Sequence, residues 1–150
     1  LVYNMNVSGF YISGLSSPEI NFATVYGKHF VDVGTEEPML SLASHGIHAI
    51  NYAKPVVMNS IFAQYGESGV KSEVSSRPEL QYTFMFSGAT AQLNDGSVDT
   101  LFVNTADPLF ANPVEFDFTL PGNSPAKDWG MHEGVENIEV GAYGPNGNGM

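Results

Sequence analysis

The chain contains no cysteine, which removes disulfides, thiolate zinc sites, iron–sulfur clusters and cysteine nucleophiles together. Basic residues are scarce: five Lys and Arg stand against 16 Asp and Glu, a formal net charge of −11. Nucleic-acid affinity comes mainly from Lys and Arg neutralising phosphates, so nucleic acid is nearly excluded as a partner. An anionic membrane surface is disfavoured for the same reason. No apolar run approaches the ~20 residues that cross a bilayer as a helix, so membrane insertion is not expected. Charge of either sign is sparse, 14% of residues against about 25% in an ordinary domain. That low-charge, Gly- and Asn-rich balance predicts an exported protein, secreted or held at a cell surface, and a chain that opens on Leu1 is expected to be either a processed product or an excised piece.

What is present is core material. The 150 residues are 43% hydrophobic and include 10 Phe, enough for one domain that buries roughly 70% of its unfolded surface. The domain is expected over residues 1–143, with 144–150 a flexible Gly/Asn-rich tail. The dominant hydrophobic period is two. Leu1, Tyr3, Met5 and Val7 alternate with polar neighbours, as do Leu80, Tyr82, Phe84 and Phe86, and most cleanly Val114, Phe116, Phe118 and Leu120. Asn94-Asp95-Gly96-Ser97 between two apolar runs predicts a hairpin. One stretch breaks the rhythm: Met39, Leu42, Ala43, Gly46, Ile47 and Ile50 fall at helical spacing behind Thr35, Glu36, Glu37 and Pro38, so one short helix is expected around residues 36–52. No internal repeat is evident. The expected fold is all-β with a minor helix, a two-sheet antiparallel β-sandwich of jelly-roll type.

Few residues suggest catalysis. There is no Gly-x-Ser-x-Gly elbow and no phosphate-binding glycine loop. His45 and His48, three apart, would share one face of a helix and could grip a metal with His29 or His132-Glu133, the basis of a His-dependent metalloenzyme reading. Asp95, Asp99 and Asp107 are hard oxygen donors on turns, which suits Ca²⁺ as well as ordinary turn chemistry. The segment Glu115-Phe116-Asp117-Phe118-Thr119 resembles the alternating acidic strand of laminarinase-like glycoside hydrolases. Such an enzyme needs a second carboxylate about 5–5.5 Å from the first. Position 119 is Thr, so a solvated strand face accounts for Glu115 and Asp117. Trp129 and Tyr143 could stack on sugar rings, the basis of an alternative carbohydrate-binding reading, with or without Ca²⁺.

The strongest functional expectation is structural. An alternating edge strand carrying Leu1, Tyr3, Met5 and Val7 has backbone donors and acceptors that pair at home or add to a neighbour's sheet. Addition to a neighbour is head-to-tail and propagates. The sequence therefore predicts a non-enzymatic, cofactor-free subunit whose partners are copies of itself, in a filament, shell or matrix.

Overall fold

The computed structural model describes residues 2–3, 8–31, 39–86, 92–95 and 97–141. The strands run in chain order as β1 (Val2–Tyr3), β2 (Ser8–Ser13), β3 (Glu19–Asn21), β4 (Thr24–Tyr26), β5 (Lys28–Val31), β6 (Met39–Ile50) and β7 (Val56–Met58). They continue as β8 (Ile61–Ala63), β9 (Tyr65–Ser72), β10 (Glu79–Phe86), β11 (Gln92–Asp95), β12 (Asp99–Asn104), β13 (Gly130–His132) and β14 (Val135–Ile138). A seven-stranded sheet has the order β1-β4-β8-β10-β7-β3 with β12 on β10, and a five-stranded sheet has the order β11-β9-β6-β2 with β5 on β6. Every pairing in the first sheet is parallel, as are those of β2, β9 and β11 in the second; β5 with β6 and β13 with β14 are antiparallel.

The registers reveal a repeat. Val2 stands beside Val25, Val25 beside Phe62 and Phe62 beside Met85; the first and last of these steps are equal in length, and the middle one is longer. In the second sheet Ser8, His45 and Ser68 stand in line, the same long step followed by the same short one. The chain thus alternates between the two sheets and returns to each one rung further along. Parallel strands require such long returns, and here the return path is the opposite sheet. The long step from β4 to β8 holds the extra chain in which β5 folds back on the start of β6.

The rungs turn at matching positions. Phe22, Asn59, Tyr82 and Phe102 all have φ between 47° and 55°, and the flanking registers set them one above another. This left-handed column splits β3 from β4 and β7 from β8, so the larger sheet curls into half a barrel. A side chain supplements the backbone bonds at the bend: Ser60 Oγ accepts from the Ala23 amide at 3.0 Å and donates to the Met58 carbonyl at 2.6 Å.

Strand alternation builds two cores. Val25, Phe62, Met85, Val57, Leu80, Ile47 and Val70 point into the coil. Their neighbours Tyr26, Ile61, Ala63 and Phe84 point outward and are covered by Phe118, Leu120, Ala126 and Val140 from the C-terminal segment. Strands buried on both faces read as continuous apolar runs, which explains Ile61-Phe62-Ala63 and Phe84-Met85-Phe86.

Several expectations are corrected. The fold is not an antiparallel jelly-roll sandwich, because most strands pair in parallel. The helix around residues 36–52 is replaced by the twelve-residue strand β6. There, pairing on both edges outweighs a helical spacing that carried Gly46 and two Ile. Among the described residues the single helical element is a 3₁₀ turn, Pro113–Glu115. It replaces the strand expected over 114–120, with Phe116 left-handed at φ 60°. The turn at 94–97 is no hairpin: β11 and β12 lie in different sheets. The tail 144–150 and the helix-capping residues 35–38 lie outside the described residues.

Candidate functional site

The histidines sit on β6, beside β9. His45 is buried and shares a 2.8 Å hydrogen bond between its Nδ1 and Ser68 Oγ, with its Nε2 3.9 Å from Glu67 Oε2. His48 Nε2 lies 3.2 Å from Glu73 Oε2, and the two imidazole centroids are 5.4 Å apart. Each histidine has its own carboxylate, and no group of three or more ligating side chains converges among the described residues. The side chains of His29 and His132 lie outside what is described.

Glu73 is held below the ordinary carboxylate value, first by its hydrogen bond with His48 and then by Lys71 at 3.2 Å. A carboxylate depressed on folding stabilises the native state above its unfolded value and loses that contribution as pH falls through the folded value. Glu73→Gln is therefore expected to flatten the acid limb of a melting-temperature profile taken from neutral pH downward. A variant whose profile keeps the wild-type slope below about pH 4.5 would contradict this.

The acidic candidates divide. Asp99 is clamped by Arg77, with Nε–Oδ2 at 2.7 Å and Nη2–Oδ1 at 2.9 Å, so its charge is already matched. Asp95 lies on β11, its side chain outside what is described. Asp107 accepts from the Leu109 amide at 2.8 Å as a turn residue. Asp117 accepts from Thr119 N and Oγ1, which hold its pKa low, and forms a bridge with Asn112 rather than a strand face with Glu115. Of the assembly residues, Tyr3 pairs with Tyr26 through β1, at the margin of the larger sheet. Leu1, Met5 and Val7 lie outside the described residues.

Trp129 lines a surface groove of about 330 Å³ with Tyr82, Phe102, Asp128, Gly130 and Glu136. Tyr82 and Phe102 belong to the left-handed column and stack on each other, centroids 4.9 Å apart and planes 22° apart. Trp129 comes from the C-terminal segment, where its Nε1 donates to the Phe102 carbonyl at 3.3 Å and its ring meets Phe84 edge-on at 5.8 Å. The groove therefore lies between the bend of the coil and the segment that covers it. Tyr143 lies outside the described residues. Trp129 is legible in the sequence as a candidate stacking aromatic. Tyr82 and Phe102 are not, because only the rung repeat brings positions so far apart in the chain into stacking contact.

A second cavity, about 230 Å³, lies under Leu109 and Phe110, beside Tyr26 and Asp107. Burial, then Asp107, raises the Tyr26 phenol above its ordinary value. Among the described residues no helix is long and apolar enough to cross a membrane. No family model, curated protein or solved structure matches this chain.

Proposed function

We propose that the chain is a structural subunit of an extracellular or surface assembly, a filament, shell or matrix, whose copies join by adding strands to one another's open sheet edges. The observation that carries this reading is the position of the incompletely covered core. The apolar residues packed on the interior but only partly buried are Phe10, Ile20, Val98 and Val103. The first two lie on β2 and β3, at the start of the coil, and the last two lie beside or on β12, at its end. Among the described residues β1, β2 and β3 end their sheets on one side, while β11 and β12 do so on the other. Leu101 on β12 is 50% exposed.

A rung of one copy could take the place that follows the last rung of another. Stacking β3 of one copy on β12 of another would continue the ladder and cover Ile20 and Leu101. Such a contact is heterologous, and repeated it propagates. The N-terminal strand retains a place in this scheme, since β1 already adds part of a rung beside β4.

Glu19 and Glu79 stand in register with the Arg77-paired Asp99, and each copy has a net charge of −11. Association should strengthen as salt screens this repulsion. Sedimentation at rising protein concentration, in low and in high salt, is expected to show higher-mass species favoured by salt. Leu101→Lys, a charge on the open edge, should reduce them, while Val114→Lys on the exposed 3₁₀ turn, outside both sheets, should not. A wild-type protein that stays monomeric in both salts would overturn the reading.

A further inference from the structure

We propose that the groove at Trp129 binds a small quaternary ammonium ion, with Tyr82, Phe102 and Trp129 supplying ring surfaces and Asp128 and Glu136 supplying counter-charge. The argument starts from charge. Lys71, Arg77 and Lys127 are engaged by Glu73, Asp99 and Glu139, at 3.2, 2.7 and 3.7 Å. Asp128 and Glu136 have no such partner among the described residues, and both are exposed on the groove wall. A cavity lined by two unmatched carboxylates and three aromatic rings is complementary to positive charge spread over apolar methyl groups.

The chemistry discriminates between kinds of cation. A hard metal ion wants six or more oxygen ligands, and rings supply none. A primary ammonium brings three N–H donors that need acceptors. A quaternary ammonium has no N–H to satisfy, is attracted to ring faces within about 6 Å, and gains from nearby carboxylates. A neutral sugar could stack on the same rings but would draw no net attraction from the two carboxylate charges. The volume, about 330 Å³, lies at the lower end of small-ligand sites.

The chain has one Trp, and it lines this groove, so intrinsic fluorescence reports on it directly. Titration with choline is expected to give a saturable change. The uncharged isostere 3,3-dimethylbutanol should bind at least roughly tenfold more weakly, the loss expected for removing cation–π and ionic attraction. Phe102→Ala and the pair Asp128→Asn/Glu136→Gln should each weaken choline binding by about the same factor. Chemical shifts of the same full-length proteins check that the fold is retained.

Phosphatidylcholine vesicles separate a membrane headgroup from the free ion. Vesicle binding with no response to free choline would overturn the proposal. So would an isostere as effective as choline, saturable binding of neutral oligosaccharides in place of choline, or no saturable response at all.

Discussion

Gly46→Val is expected to cost at least about 3 kcal/mol, the upper range for overpacking a closed core. A Cβ at Gly46 would lie 2.6 Å from the Gly69 carbonyl oxygen and 3.2 Å from the Phe62 ring. Gly9 presses on the same place: its Cβ would lie 2.5 Å from the Gly46 carbonyl oxygen. The registers align Gly9, Gly46 and Gly69 across β2, β6 and β9. This glycine line is where the smaller sheet comes close to Phe62 of the larger one. The clash is with backbone, which has no rotamer to escape into, and a shift on one rung disturbs the next. Urea denaturation measures the loss. Gly122→Ala, which meets nothing within 4 Å, should change stability by less than about 0.5 kcal/mol. A Gly46→Val protein with the wild-type midpoint would show that the walls can part freely.

Asn59→Ala is expected to be comparably severe, about 3–5 kcal/mol. Asn59 is fully buried. Its Nδ2 donates to Asn21 Oδ1 at 3.0 Å and to the Met131 carbonyl at 2.9 Å, and its Oδ1 accepts from the Met131 amide at 2.9 Å. Its own carbonyl accepts from the Gly141 amide at 2.7 Å. Truncation leaves the partly buried Met131 groups without those partners, and places alanine at φ 48°, a conformation Asn tolerates better. Asn59→Gly separates the two costs, since it relieves the backbone while losing the same side-chain bonds. Because Asn59 joins the bend of the coil to the segment over its outer face, both variants should expose Phe84 and Phe118. Faster proteolysis within residues 105–141 would register that exposure. Unchanged cleavage, with an unchanged unfolding midpoint, would mean that the segment is held by its apolar contacts alone.

The strands are largely legible in the sequence and their arrangement is not. Alternation identifies residues 80–86 as a strand, as observed. Alternation says nothing about whether neighbouring strands run parallel, and the hairpin signal at 94–97 points the wrong way. The repeat is nonetheless written in the residues. Pro18-Glu19-Ile20, Pro55-Val56-Val57 and Pro78-Glu79-Leu80 occupy equivalent places, as do Ser8-Gly9-Phe10, His45-Gly46-Ile47 and Ser68-Gly69-Val70. Each proline carbonyl accepts from the following rung: Val56 N to Pro18 O at 3.0 Å, Glu79 N to Pro55 O and Asp99 N to Pro78 O at 2.9 Å. The first two copies of each motif stand farther apart than the second and third, and that inequality hides the repeat from a search for a fixed period. At the groove, Trp129 is the one lining residue that the sequence singles out. Asp128 and Glu136 carry no pattern of their own, and they matter only because the C-terminal segment folds back over the coil.

One rung of this ladder carries an insertion that the rung after it lacks, yet the strands on either side keep the same alignment. Extra sequence in the path therefore leaves the alignment around it unchanged, so the frame of the ladder is set by its rungs and not by the length of chain between them.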